Sequence, residues 1–295
     1  MLTKPCTLCG RQCKIDRSTQ VGYCGAGETL QVALAALHHW EEPVISGSRG
    51  SGAVFFSGCS LGCIFCQNTK ISHESFGKEI SQERLGEIFL ELQEQGAHNI
   101  NLVTPTHYLP QILRALDRVK HRLTLPIVYN TSSYESPSAI KALEGYVDIY
   151  IPDLKFYSPE LSGAYANAPD YFETASRNIL AMLEQVGKVT LDEDGMMTKG
   201  MILRHLVLPG GAFDSVKLLD WAAASLPLEQ IYLSIMSQYT PWGEAQSHPV
   251  LSRKVLPIEY NKVLSHARRL GVQGFTQGLD SAQKDYTPLF DLTGV

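Results

Sequence analysis

The chain has 295 residues, 44% hydrophobic and 19% charged, with a formal net charge of −5. This is ordinary globular composition for one large domain or two modest ones, and it excludes a disordered or fibrous chain. The acidic balance gives no electrostatic reason to bind DNA, RNA or an anionic membrane surface. No run approaches the ~18 apolar residues of a membrane helix, and the start MLTKPCTLCG lacks an apolar signal core, so the expected compartment is the cytoplasm.

In chain order, residues 1–50 are expected to form a cysteine-rich N-terminal segment and linker, and residues 51–295 the core with a C-terminal extension. Cys6, Cys9, Cys13 and Cys24 have the spacing C-x2-C-x3-C-x10-C. Four thiolates on a glycine-containing loop suit a closed zinc site or an iron–sulfur cluster, and the spacing does not choose between them. The segment has too few apolar residues to fold by burial alone, so a metal would stabilise it. An apolar piece at 30–37 follows, then His38, His39 and Trp40 beside two acids. The two histidines read as surface or packing residues. From residue 52 onward short apolar runs alternate with amphipathic ones. Strands are expected at 53–57, 100–103, 127–130, 147–151, 201–208 and 231–235. Helices are expected at 82–94, 110–121, 136–143, 172–186, 214–224 and 258–270, with Ser81 and Ser136 as starts. A polar loop is expected at 191–199. Alternating β and α elements argue for a parallel sheet covered by helices, with ligands at the C-terminal ends of the strands.

All seven cysteines fall in the first quarter of the chain. An odd, clustered set in a reducing compartment points to metal ligation rather than to disulfides. Cys59, Cys63 and Cys66 follow the first core strand with the spacing C-x3-C-x2-C, and Gly58 and Gly62 permit a tight loop around a compact group. A [4Fe–4S] cluster usually takes four thiolates, so three leave one iron open, as in a catalytic site. The competing readings are a zinc site and three inert core thiols.

At these residues the chain resembles the radical SAM superfamily, whose signature is this spacing with an aromatic residue, here Phe65, before the last cysteine. The resemblance implies that the open iron binds S-adenosylmethionine. An electron from the cluster then cleaves that cofactor, and the resulting 5′-deoxyadenosyl radical takes a hydrogen atom from the substrate. The run GSGAVFFSGCSLGCIFCQN, with NLVTPTHY, YIPDLKFY, RHLVLPG and IMSQYTP, is similar to the branch around pyruvate formate-lyase activating enzyme, here with an extra N-terminal cysteine segment. It implies an α/β fold built as a partial (β/α)6 barrel, a protein substrate converted to a glycyl radical, and a reducing donor such as flavodoxin or ferredoxin. The Gly-Gly-Glu motif common after the second core strand is replaced by Val103-Thr104-Pro105-Thr106-His107.

Candidate cofactor-binding residues are Phe65, Thr104, Thr106, His107, Asn130, Asp153, Lys155, Arg204 and His205. Asn130 ends a strand and its amide can donate and accept, and it equally suits a turn. Asp153 and Lys155 follow the fourth strand, as a similar Asp-x-Lys does in activases, and otherwise read as a solvated pair. Arg204 and His205 are adjacent in a strand, so only one can face the interior, and an inward arginine must meet an anion. His205 otherwise reads as a satisfied core histidine. Tyr239 and Trp242 read as packing residues beside Gln238. The alternative function is an iron–sulfur electron carrier or redox sensor without chemistry on S-adenosylmethionine, and a further one is a zinc-stabilised interaction protein. Spacing alone treats the two cysteine sets as independent, so a Cys24→Ala variant would keep the first cluster. Cys63→Ala is expected to abolish 5′-deoxyadenosine release from S-adenosylmethionine in anaerobically reconstituted, reduced protein, and turnover by that variant would refute the ligand assignment.

Overall fold

A computed structural model describes residues 5–282 and 287–295. Its strands are β1 Gln31–His38, β2 Ser51–Phe56, β3 Lys78–Glu79, β4 Ile100–Val103, β5 Ile127–Thr131, β6 Ile149–Pro152, β7 Thr190–Leu191, β8 Met197–Leu206, β9 Tyr232–Met236 and β10 Gly274–Thr276. Its helices are α1 Pro43–Ser46, α2 Thr69–Ser72, α3 Gln82–Glu94, α4 Leu109–Val119, α5 Pro137–Ala142, α6 Pro159–Ala166, α7 Tyr171–Val186, α8 Ala212–Ser225 and α9 Pro257–Arg269.

The strands run in the order β10-β9-β8-β6-β5-β4-β2-β1-β3, with β7 against β8. From β10 to β2 every pairing is parallel. β1 and β3 add antiparallel pairings at the other edge. The sheet is an open, mostly parallel one and not a closed barrel, in keeping with a partial α/β barrel. Parallel pairing needs long crossovers, and the helices supply them.

Side-chain alternation divides the sheet into two faces. Val54, Leu102, Tyr129, Tyr150 and Met201 are register partners in one row and are buried in the main core. Leu85, Ile88, Phe89 and Leu92 of α3 belong to the same core, at the i, i+3, i+4, i+7 spacing of one helix face. Phe55, Val103 and Asn130 form the adjoining row on the opposite face. Short α1 closes part of that inner face. Its Ile45 packs with Val128, Ile149, Ile151 and Ile202, and Asn99 Nδ2 donates to the Ile45 carbonyl at 2.8 Å.

The short elements α1, α2, β3 and β10 were not among those expected, and three further regions differ from the sequence reading. The apolar piece at 30–37 is a strand, β1, paired antiparallel with β2 on one side and with the short edge strand β3 on the other. The loop expected at 191–199 is a hairpin. Asp192 Oδ1 accepts from the amides of Asp194 and Met196 at 3.0 and 2.8 Å, which folds a tight turn, so β8 starts early. Helix α6 was not expected, because its sequence PELSGAYA carries little amphipathic pattern. It starts with Pro159 in the first turn and Ser158 Oγ accepting from the Leu161 amide at 3.2 Å. Among the described residues no helix is long and apolar enough to cross a membrane.

Ser81 caps α3 by accepting from the Arg84 amide at 3.1 Å. Ser81→Ala should cost about 1 kcal/mol, and Phe89→Ala, at a fully buried position, about 3–5 kcal/mol. Chemical denaturation of the two variants against the parent would check both the values and their order.

Candidate functional site

The C-terminal ends of the parallel strands open onto one cavity of about 780 Å³. β2 leads into the cysteine loop through Gly58, whose φ of 95° is a left-handed value that glycine tolerates. An added Cβ there would lie 2.4 Å from the Cys24 carbonyl oxygen, so no other residue fits. Cys59, Cys63 and Cys66 all line the cavity. The Leu61 amide donates to Cys59 Sγ at 3.4 Å, and Ser72 Oγ donates to Cys66 Sγ at 3.3 Å. Burial, joined by the neighbouring thiols, pushes the Cys63 and Cys66 thiols up. They become ligands only when a metal takes up their charge.

Thr104, Asn130, Asp153, Lys155 and Arg204 line the same cavity. Thr104 holds a φ of 56°, a costly conformation for a β-branched residue, and its amide donates to the Asn130 carbonyl at 2.9 Å. Lys155 Nζ donates to Asp153 Oδ2 at 2.5 Å. Burial would lower the Lys155 pKa, but Asp153 and the Cys63 sulfur outweigh it and raise it, so the ammonium stays charged beside the thiols.

On the same cavity wall, bridged to Asp153, Arg204 meets two carboxylates. Its Nε donates to Glu42 Oε1 at 2.9 Å, and its Nη2 reaches Glu42 Oε2 at 2.5 Å and also pairs with Glu41. Glu41 Oε1 accepts from Asn101 at 2.9 Å and from Asn130 at 3.4 Å. Two carboxylates against one guanidinium leave an acidic excess on this wall. Glu41, Glu42, Trp40 and His38 all line the cavity, whereas the sequence places Trp40 and the two acids in the linker and reads His38 as a surface or packing residue. The one available signal was the rule that a buried arginine needs an anion.

Four expected residues lie outside the lining. Phe65 points into the core and packs edge-on against Phe156 and Tyr239. Thr106 donates to Glu135 Oε1 at 2.7 Å. His107 Nε2 lies 2.7 Å from the Ser57 carbonyl, and burial drives its pKa down to about 3, so the neutral ring supports the backbone just before the cysteine loop. His205, one residue after Arg204, faces the other side of β8. Its Nδ1 lies 2.7 Å from the Leu154 carbonyl and its Nε2 2.8 Å from Ser215 Oγ. Gln238 lines the cavity, while Tyr239 is buried and donates to the Leu251 carbonyl at 2.7 Å.

Of the four N-terminal cysteines, Cys24 lies against the cysteine loop and Cys9 bridges to Glu135. The Cys59 amide donates to the Cys24 carbonyl at 3.2 Å. None of the seven cysteines is disulfide-bonded. Among the described residues, no three metal-binding side chains already stand around a single ion position. Thiolates on different irons of a cluster do not share one.

The radical SAM superfamily profile matches residues 53–201. The chain belongs to the radical SAM superfamily, whose members are enzymes that use a [4Fe–4S] cluster and S-adenosylmethionine. The residues present fit that group, since three thiols on one loop face one cavity and a cluster held by three leaves an iron open. The chain is 29% identical over 276 residues to an uncharacterized protein of Methanocaldococcus jannaschii, MJ0674, covering 90% of this chain and 75% of that one. Its fold is similar to that of Streptococcus suis SuiB bound to S-adenosylmethionine, with a TM-score of 0.52 at 15% identity over 76% of this chain. It is similar also to SuiB bound to the precursor peptide SuiA, with a TM-score of 0.51 at 14% identity over 76% of this chain. The chain spans about half the length of SuiB, 49% and 48% in the two structures.

Burial pushes the Glu42 carboxyl up, but the Arg204 guanidinium and the Ser234 hydroxyl outweigh it and hold it below its ordinary 4.5. A depressed carboxylate stabilises the fold above its unfolded-state value, and that contribution fades as pH falls through the folded one. Glu42→Gln should therefore cost about 2–4 kcal/mol at pH 7, less than loss of a sole partner because Glu41 remains. The gap between parent and variant should narrow below pH 4.5. Denaturation midpoints between pH 7 and 3 would show it, and a gap that stays constant would rule out the charged pair as its source.

Proposed function

We propose that this chain cleaves S-adenosylmethionine reductively and abstracts a hydrogen atom from a substrate held in the 780 Å³ cavity. The observation that carries this reading is the three thiols of Cys59, Cys63 and Cys66 on one loop at the C-terminal ends of the strands, facing that cavity. The cluster and its cofactor, when bound, supply one-electron cleavage and hydrogen abstraction. The chain supplies placement and exclusion of water.

In this reading Cys59, Cys63 and Cys66 are the cluster ligands. Lys155 and Asp153 present a fixed charge pair beside them, suited to the amino and carboxylate groups of the cofactor. Asn130 on the neighbouring strand β5, and Thr104 after β4 two strands away, offer donors and acceptors. The wall of Glu41, Glu42 and Arg204 sets substrate polarity, and its acidic excess favours a group rich in hydrogen-bond donors. A low-potential donor such as flavodoxin or ferredoxin would supply the electron.

The finer reading is an activase that makes a glycyl radical in a partner protein. It is supported by the run GSGAVFFSGCSLGCIFCQN and by YIPDLKFY, which resemble the branch around pyruvate formate-lyase activating enzyme. SuiB, which shares the fold, has been solved with a precursor peptide, so the scaffold accommodates a polypeptide substrate there. Division of the chain into an N-terminal cysteine segment, 1–50, and a radical SAM core, 51–295, is part of the same reading.

Reconstituted anaerobically and reduced, the protein should release methionine and 5′-deoxyadenosine in equal amounts. Asp153→Asn should keep its iron and lose at least tenfold in that release. A bound cluster with no cleavage would sink the enzyme reading in favour of an electron carrier. The activase reading stands if deuterium from a glycine-labelled partner protein enters 5′-deoxyadenosine.

A further inference from the structure

Residues 5–29 contain no helix and no ladder strand, and the only bridge joins Cys9 to Glu135. Their buried apolar side chains are Cys6, Leu8, Cys24 and Ala26, which is too little burial to order some 25 residues. Yet the segment is tightly turned. The Cys6 amide donates to the Ile15 carbonyl and the Lys14 amide to the Cys6 carbonyl, both at 2.9 Å. Gln12 and Lys14 take left-handed φ values of 46° and 56°, and Gly25 one of 73°.

These turns bring the sulfurs of Cys13 and Cys24 to one glycine, Gly22. A Cβ on Gly22 would lie 3.4 Å from Cys24 Sγ and 3.7 Å from Cys13 Sγ. The Gln12 amide donates to the Cys9 carbonyl at 3.1 Å, which turns the chain back between Cys9 and Cys13. A second observation points the same way. The Gly22 amide donates to the Ala26 carbonyl at 3.1 Å and the Gly25 amide to the Gly22 carbonyl at 3.0 Å, so Cys24 sits inside a closed turn. The cluster loop is turned in a similar way, with the Cys66 amide donating to the Cys63 carbonyl at 3.1 Å.

We propose that Cys6, Cys9, Cys13 and Cys24 form a four-thiolate metal centre whose metal locks residues 5–29 into a clamp on the cluster loop. The clamp has three contacts. Arg11, between two of the ligands, donates from Nε to the Ser60 carbonyl and from Nη2 to the Leu61 and Ala166 carbonyls, each at 2.8 Å, and also reaches the Asn167 carbonyl. Its guanidinium stacks 3.8 Å from the centroid of Tyr23, the neighbour of Cys24. The Cys24 carbonyl accepts from the amide of Cys59. A guanidinium satisfying four carbonyls loses much rotamer freedom, which only a pre-ordered segment offsets. The clamp rests on the reading of 59–66 as the cluster loop, while the metal centre does not. It also reverses the independence of the two cysteine sets that spacing suggested.

The test starts from C59A/C63A/C66A, in which the four N-terminal cysteines are the only thiols. Purified anaerobically from cells given zinc and iron, it should carry one zinc per chain or iron with matching acid-labile sulfide. Either metal supports the centre and identifies it, and less than a tenth of a metal per chain overturns it. Because this variant lacks the triad, its metal content is independent of any activity on S-adenosylmethionine. For the clamp, Cys9→Ser with Cys13→Ser in the otherwise unchanged chain should speed amide exchange at residues 59–62 at least tenfold. Arg11→Leu keeps every ligand, so it should hold the N-terminal metal in full and still loosen those amides. Unchanged exchange in Arg11→Leu overturns the clamp, even if the double variant fails to fold.

Discussion

The site depends on a backbone turn with no room for a side chain. At Gly58 the chain leaves β2 in a left-handed conformation, its amide donating to the Ile71 carbonyl at 2.7 Å and its α-carbon pressed against the Cys24 carbonyl. His107 braces the preceding carbonyl, on Ser57, from the β4 side. Three separate stretches of chain therefore meet at one peptide group. That meeting decides where Cys59 starts, and the spacing of the loop then carries Cys63 and Cys66 to the same cavity. Parallel pairing of β2, β4, β5, β6, β8 and β9 does the remaining placement, because it brings every strand's C-terminal end to one mouth.

Electrostatics divide the cavity. Near the thiols sits the Lys155 ammonium with its Asp153 partner, a compensated pair. On the same wall, Arg204 is held by Glu41 and Glu42, with asparagine amides and the Ser234 hydroxyl completing the set. Burying three charges is costly, and this arrangement offsets the cost only because nearly every donor and acceptor is met. Such a network contributes little net stability over a packed apolar core. Its value lies in fixing a polar wall against which a substrate must match.

Much of the layout was legible in the sequence, and the misses have specific causes. Six strands and six helices followed from apolar periodicity, since burial against two layers leaves the same mark wherever it occurs. Helix α6 left no such mark, because small residues face both sides. β1 was read as an apolar piece because its antiparallel partner, β2, is distant enough in sequence that no turn signal joins them. Phe65, Thr106, His107 and His205 were chosen for their chemistry and nearness to motifs. Strand alternation and core packing turned each of them away from the cavity. Glu41 and Glu42 look like solvated acids in a linker until the chain folds them against Arg204.

The sequence by itself determined the chemistry on offer: three thiolates spaced to hold a cluster with an open iron, four more at metal-binding spacing, and a β-α alternation that points ligands to strand ends. Those are local properties, fixed by residue type and separation along the chain. Only the tertiary structure decided which polar groups share the cavity, and that Cys24 and Arg11 of the first segment grip the loop carrying Cys59. Contacts between residues dozens of positions apart depend on sheet order and side-chain direction. Neither is written in any short stretch of sequence.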